Sequence, residues 1–179
     1  TPRQAGRIAQ RLVEIETYRV MALLAFPVAK DTGRLVSRAE DELADLMDGM
    51  GRSRSAEDDR AVLARLSRLA AEVERSVART TFRFGAAAAY YRLVRQRIDD
   101  LREQRLPGFS PIGEFMDRRL VPAIDTCTSI ARRQDDLSGR IARNSQLLRT
   151  RVDIEIERQT QVFHRVVIIH FDIAFSLDV

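Results

Sequence analysis

The sequence is poor in the residues that build disulfide frameworks, thiolate metal sites and aromatic cores. Cys127 is the only cysteine, tryptophan is absent, and aromatic residues make up 6% of the 179 positions. A single cysteine excludes an intramolecular disulfide and a zinc site made of several thiolates. Glycine and proline are also scarce, at eight and five residues. Few interruptions favour long stretches of regular structure.

The charged residues are abundant but nearly balanced. They form 31% of the chain, with thirty basic and twenty-six acidic residues, and hydrophobic residues form 45%. That apolar fraction is too large for a disordered chain. Acidic residues 57–59 and the later Arg102 and Arg105 bracket one helical stretch, as the helix dipole favours. Interleaved charges of this kind argue against nucleic acid as the main partner.

Hydrophobic spacing predicts two amino-terminal helices. The first runs from about Arg3 to Phe26, and Pro27 should kink or stop it because proline lacks a backbone donor. A second, shorter helix runs from about Arg34 to Met47. Gly49 and Gly51 then end it.

A long central helix is predicted next, beginning at Ser55, which with Asp58 imitates a capping box. The spacing between its inner apolar residues alternates between three and four. The exception is Leu69 to Thr80, where two spacings of four and one of three add up to eleven residues, which would relax left-handed supercoiling. The break is expected at residues 106–108. The inner positions are Val62, Leu66, Leu69, Val73, Val77, Thr80, Phe84, Ala87, Tyr91, Val94, Ile98 and Leu101.

A second long helix should restart at Ser110-Pro111, a cap followed by a first-turn proline. Pro122 should bend it, while Gln134 and Asn144 place polar groups in the apolar seam, where they can fix register. Its inner positions are Ile112, Phe115, Leu120, Ile124, Cys127, Ala131, Leu137, Ile141, Leu148 and Val152.

The short connection between the two long helices requires them to run antiparallel. Each arm has about fifty residues and extends roughly 70 Å at 1.5 Å per residue. We therefore predict an all-α fold: a long antiparallel coiled-coil-like helical hairpin with one or two additional amino-terminal helices packed on it. This helical domain spans residues 1–160. Residues 161–179 form a divergent apolar tail that is strand-like at 166–169 and alternates thereafter, and its charged and histidine residues make it a poor membrane span.

No catalytic, cofactor or metal site is predicted. Glu14 and Glu16 diverge by about 200° on a helix, which favours separate structural ion pairs. Cys127 lies on the apolar seam and should be a buried small hydrophobe. His164 and His170 are six residues apart, whereas two metal ligands on one helix want a spacing of three or four.

Three arginines form a basic ridge on the central helix. Arg75, Arg79 and Arg83 are four residues apart and therefore share one face. Such a ridge is either a solvated face or the site of an anionic partner. We keep both interpretations open and take these three residues as the candidate site.

Several segments resemble the bacterial domain-of-unknown-function family 3422, described as predicted membrane-anchored proteins. They are EIETYRVMALL at 14–24, FRFGA at 82–86 with Tyr90 and Tyr91, IGEFMDRRL at 112–120, ARRQDDL at 131–137 and LLRTRVD at 147–153. The similarity runs from about Arg3 to Gln159, and the chain departs from it near Gln161. The resemblance implies a longer protein, with a region before Thr1 and two membrane-spanning helices after the hairpin.

Together these features predict a non-enzymatic helical stalk or scaffold on the cytoplasmic side of a bacterial inner membrane. It would act through self-association or a protein partner, and its membrane contact would come from helices absent from this chain. Two alternatives belong to other classes. One is the cytoplasmic stalk of a metal-ion channel or transporter, by fold-level analogy. The other is a weak nucleic-acid binder, which rests only on the sequence pI of about 9.9.

Overall fold

The computed structural model describes residues 2–52 and 55–176, and they form four α-helices. These are α1 (Pro2–Leu23), α2 (Ala25–Arg52), α3 (Ala56–Leu101) and α4 (Ile112–Ser176). The described residues include no β-strand. The predicted all-α class is confirmed.

The boundary between the first two helices differs from the prediction. The break lies at Leu24, and Pro27 is the third residue of α2. A proline is tolerated in the first turn because its missing donor would have no partner there. The stretch before Arg34 is therefore helical. At its other end, α2 continues through Gly49 and Gly51 to Arg52, so these glycines do not stop it.

A close approach of α2 and α4 explains a glycine in the middle of α2. A Cβ atom added at Gly33 would lie 3.1 Å from Cδ1 of Ile130, whereas one added at Gly85 of α3 would meet nothing within 4 Å. Both glycines therefore lie inside helices, but only Gly33 has a neighbouring side chain in the space that a Cβ atom would fill.

This contrast gives a stability prediction. Gly85→Ala should raise the free energy of unfolding by about 0.5–1 kcal/mol, because alanine is the better helix former and nothing obstructs its methyl group. Gly33→Ala should gain less or lose stability, because Ile130 must move to admit the methyl group. Urea unfolding of both variants measures the difference. Equal gains at the two positions would contradict the close approach.

The two ends of α3 were only partly predicted. Ser55 caps α3 as expected, since its Oγ accepts the Asp58 N–H at 3.1 Å. However, α3 ends at Leu101, before the predicted break at 106–108. Arg102 follows with a φ of 50°, and a left-handed residue at this place commonly ends a helix.

The cap of α4 comes from the loop and not from Ser110. The Glu103 carboxylate accepts the N–H of Ile112 and, at 3.2 Å, that of Gly113. The Pro111 carbonyl accepts the Phe115 N–H at 3.1 Å. A carboxylate at a helix amino terminus satisfies free donors and opposes the positive end of the dipole.

The chain divides into two compact units. Unit 1 contains the described residues up to Glu40 together with Glu72–Ser138, and unit 2 contains Asp41–Ala71 and α4 from Gly139 onwards. In unit 1, α1 packs on α3 and α4 through one buried cluster. The start of α2 packs on the same two helices through another. The clusters are Ile15, Ala22, Val94, Ile98, Met116 and Leu120, and Ala25, Ala29, Phe84, Ala87, Cys127 and Ile130.

In unit 2 the buried residues come from α2, α3 and α4. An ion pair joins Arg65 and Glu42 at 3.5 Å. Asp59 is buried, and its Oδ2 lies 3.0 Å from Nε of Arg151. This pair places α3 beside the late part of α4. The buried apolar residues of this unit are Leu43, Leu46, Leu66, Leu69, Ile141, Leu148 and Val152.

The seam of α3 follows the predicted pattern with one shift. Ser76 is buried and Val77 is only half-buried, so the alternation of three and four runs unbroken to Thr80. The extra step of four then falls between Thr80 and Phe84. On α4, Phe115 is exposed, contrary to the prediction, and its neighbour Met116 is buried instead.

The tail is helical and not strand-like. α4 continues without interruption to Ser176, and residues 177–179 lie outside the described part. After Gly139 the sequence contains neither glycine nor proline. Once a helix exists, each added residue gains a hydrogen bond without a new nucleation cost. That gain outweighs the β-propensity of residues 166–169.

Candidate functional site

The three arginines of the predicted ridge are exposed on α3. None of them forms an ion pair with a described residue, so the charge of Arg75, Arg79 and Arg83 is not neutralised locally. Nine other arginines form ion pairs with described carboxylates. The paired ones are Arg19, Arg34, Arg65, Arg95, Arg97, Arg105, Arg118, Arg133 and Arg151.

Two of the ridge arginines line a cleft between α2 and α3. The cleft, which we call the α2–α3 cleft, has a volume of about 430 Å³. Arg79 and Arg83 line this cleft, whereas Arg75 does not. The single carboxylate of its lining, Asp31, is paired with Arg34. The cleft is lined from α2 by Val28, Asp31, Thr32 and Leu35, and from α3 by Ser76, Arg79, Thr80 and Arg83.

A buried polar layer lies beneath the cleft. Gln134 is 2% exposed, and its Nε2 donates to Ser76 Oγ at 2.9 Å. Thr80 Oγ1 donates to Gln134 Oε1 at 3.1 Å, and it lies 2.9 Å from the Ser76 carbonyl. The predicted polar interruption at Gln134 is therefore confirmed. Its partners were not predicted, because Ser76 was placed outside the seam.

Thr32 of α2 is the one described threonine whose hydroxyl forms no hydrogen bond with a described residue, and it is 7% exposed. Every other described threonine has its hydroxyl oxygen within hydrogen-bond distance of the backbone carbonyl four residues earlier, as is common in helices. These are Thr17, Thr80, Thr81, Thr126, Thr128, Thr150 and Thr160. Thr32 also lines the α2–α3 cleft.

A second groove lies between α3 and α4, with a volume of about 310 Å³. Phe84 and Cys127 line it. Cys127 is 3% exposed, and burial raises the pKa of its thiol. A thiol with a raised pKa stays protonated and unreactive near neutral pH. The prediction that Cys127 is a buried small hydrophobe is confirmed.

The remaining candidate residues do not converge. Glu14 pairs with Arg97 at 2.8 Å, while Glu16 pairs with Arg19, whose hydrogen bond lowers the pKa of Glu16. The two carboxylates therefore serve separate structural ion pairs, as predicted. His164 is exposed, and the side chain of His170 lies outside the described residues. Within the described residues no group of three or more potential metal ligands is found.

An exposed apolar stripe on α1 was not predicted. Ile15 and Ala22 of α1 are buried, but Val13 and Val20 of the same helix and Leu24, the residue that follows it, are 66%, 46% and 55% exposed. Their spacing of seven and four residues places them on one face, away from the docked face. We call these three residues the outer α1 stripe. The spacing was visible in the sequence, but it could not show which face of α1 docks.

Comparison with known proteins gives the family and nothing finer. No curated protein and no solved structure matches the chain. Among the described residues, no helix is both long and apolar enough to cross a membrane. The model of the family of proteins of unknown function DUF3422 matches residues 1–165, slightly beyond the predicted similarity. The chain belongs to this family.

Proposed function

We propose that this chain is a non-enzymatic helical scaffold module that self-associates through the outer α1 stripe. The stripe itself carries the proposal. A helix that is apolar on two opposite sides is typical of an element covered on both. In this chain the side with Ile15 and Ala22 is covered from within unit 1, and the side with Val13, Val20 and Leu24 is open.

The stripe is suited to pairing with a second copy. Val13 precedes Thr17 by four residues, and Val20 follows it by three. In an antiparallel pair of α1 helices related by a two-fold axis near Thr17, each Val13 faces the Val20 of the other copy. Closed two-fold contacts are the commonest way in which soluble chains self-associate.

Polar contacts with α3 hold α1 in a fixed orientation. Arg97 of α3 pairs with Glu14 at 2.8 Å, and Arg11 donates to the Asp100 carbonyl at 2.9 Å. Both contacts lie on the side of α1 that faces α3. A helix held in this way presents its outer face without rearrangement, which reduces the ordering cost of association.

Attachment to the cytoplasmic face of a bacterial inner membrane is the second part of the proposal. It is supported by the resemblance, noted from the sequence, to a family described as predicted membrane-anchored proteins. Fractionation of cells that express the full gene product tests it. Recovery in the soluble fraction would contradict the attachment and would leave self-association untouched.

Self-association gives a direct prediction. Sedimentation equilibrium of the chain should show a dimer, and the double variant Val13→Lys/Val20→Lys should be a monomer. The variant should lose only the stability that dimerisation adds, because both substitutions are at exposed positions. Leu147→Lys is the control, because it replaces a similarly exposed leucine on α4, and it should leave the dimer intact. A monomeric parent chain, or a dimer that survives the double substitution, would contradict the proposal.

A further inference from the structure

The α2–α3 cleft combines two unneutralised arginines with a position close to the core. Arg79 and Arg83 are one helical turn apart on the same side of α3, and both line the cleft. The only carboxylate of the lining, Asp31, already has Arg34 as its partner. Two guanidinium groups that lack a protein anion can together bind an anion with several oxygen atoms.

Thr32 supplies an independent indication of a ligand. Its side chain is more than nine-tenths buried and lines the cleft, yet its hydroxyl has no hydrogen-bond partner among the described residues. A hydroxyl without a protein partner at the wall of a cleft can donate to an oxygen atom of a bound ligand. The seven other described threonines, which lie on α1, α3 and α4, each have a backbone carbonyl of their own helix within hydrogen-bond distance.

The rest of the lining restricts the ligand further. Val28 and Leu35 give the cleft an aliphatic wall on α2, and both are half-buried. The volume of about 430 Å³ lies within the range of small-molecule sites. We propose that the α2–α3 cleft binds a phosphate monoester, with its phosphate oxygens on Arg79, Arg83 and the Thr32 hydroxyl and its apolar part against Val28 and Leu35.

A phosphate fits this donor set better than a carboxylate does. Its three terminal oxygens can accept from two guanidinium groups and one hydroxyl together, and its second charge balances the second arginine. The same headgroup chemistry occurs in soluble phosphate monoesters and in anionic lipids. This inference is independent of self-association, because the cleft and the outer α1 stripe share no residue.

The test uses the full chain and butyl phosphate as the soluble probe. Isothermal titration should show saturable binding, and the backbone amide signals of residues 28–35 and 76–83 should shift on titration. Thr32→Val keeps the shape of the side chain and removes its hydroxyl, so it should weaken binding by about tenfold, as loss of a hydrogen bond to a charged group does. Arg79→Gln and Arg83→Gln should each weaken binding by at least about tenfold.

Two matched controls separate a built cleft from diffuse positive charge. Arg75→Gln removes a ridge arginine that does not line the cleft, and Thr81→Val removes a hydroxyl already bonded to its own helix. Both should bind butyl phosphate like the parent chain. Equal weakening by Arg75→Gln and Arg79→Gln, or binding that Thr32→Val leaves unchanged, would overturn the proposal, as would the absence of any binding.

A second arm distinguishes the source of the phosphate. Phosphatidylcholine vesicles with and without phosphatidic acid are sedimented with the chain. Retention that needs phosphatidic acid and is lost with Thr32→Val identifies a lipid headgroup as the ligand. If butyl phosphate binds and the vesicles do not retain the chain, the ligand is a soluble monoester. Retention that persists in Thr32→Val would show binding outside the cleft and would count against the site.

Discussion

Phe84→Ala should lower the free energy of unfolding by about 3 kcal/mol, because it removes a buried ring and leaves a cavity that the surrounding helices fill only in part. Phe84 is 7% exposed and belongs to the cluster formed by the start of α2 with α3 and α4. It also lines the groove between α3 and α4. Removal of the ring therefore weakens contacts to two neighbouring helices at once.

Phe82 provides a control of the same residue type, two positions away on the same helix. It is 87% exposed, so Phe82→Ala removes little buried surface and improves helix propensity slightly. Its free energy of unfolding should stay within about 0.5 kcal/mol of the parent value. Urea unfolding measures both free energies, and the two variants can be compared if the free energy depends equally steeply on urea concentration in both. Similar losses would mean that the inner face of α3 has been assigned wrongly.

This pair shows what the sequence could predict about the fold. Phe84 is in phase with Thr80 and Ala87, and Phe82 is not, so their contrasting burial follows from the helical period alone. The same reasoning predicted the burial of Leu66, Leu69 and most later seam positions. The signal is strong because it persists over many turns of two helices that each bury a single stripe.

The missed features depend on contacts between distant segments. The α4 cap could not be predicted, because Glu103 reaches across the loop to Ile112 and Gly113. Local sequence favoured Ser110, which has the usual capping residue type. The early end of α3 is also decided by a single left-handed residue, Arg102, and no glycine marks that place.

The candidate site was predictable in part. The spacing of Arg75, Arg79 and Arg83 shows a basic ridge in the sequence. It cannot show that α2 lies beside Arg79 and Arg83 and not beside Arg75. It also cannot single out Thr32, because an unpaired hydroxyl is a property of side-chain direction. In addition, the sequence pattern placed Thr32 between the first two helices, whereas in the structure it belongs to α2.

Ser76 is the position where polarity and burial disagree most. The sequence favours Val77 on the seam, since valine is apolar and serine is not. In the structure Ser76 is 2% exposed and accepts a hydrogen bond from Gln134, which is equally buried. A polar pair across two helices stabilises one register over its neighbours, because any slip would leave both groups without partners.

Gln134→Leu should therefore lower the free energy of unfolding by about 2 kcal/mol, although it adds apolar surface to the core. The substitution leaves the Ser76 hydroxyl buried and without its partner, which costs about 1–3 kcal/mol. Thr80 loses less, because its hydroxyl lies 2.9 Å from the Ser76 carbonyl and can donate there. The penalty should thus depend on Ser76 and hardly on Thr80.

A double-mutant cycle tests that assignment. In the Gln134→Leu background, Ser76→Ala should recover most of the lost stability, since it removes the group that was left unpaired. Thr80→Val in the same background should recover little. Urea unfolding of the singles and doubles gives both coupling energies. If the losses of Ser76→Ala and Gln134→Leu simply add, or if Thr80→Val rescues equally well, the buried polar layer does not act as a Ser76–Gln134 pair, and the shifted seam needs another cause.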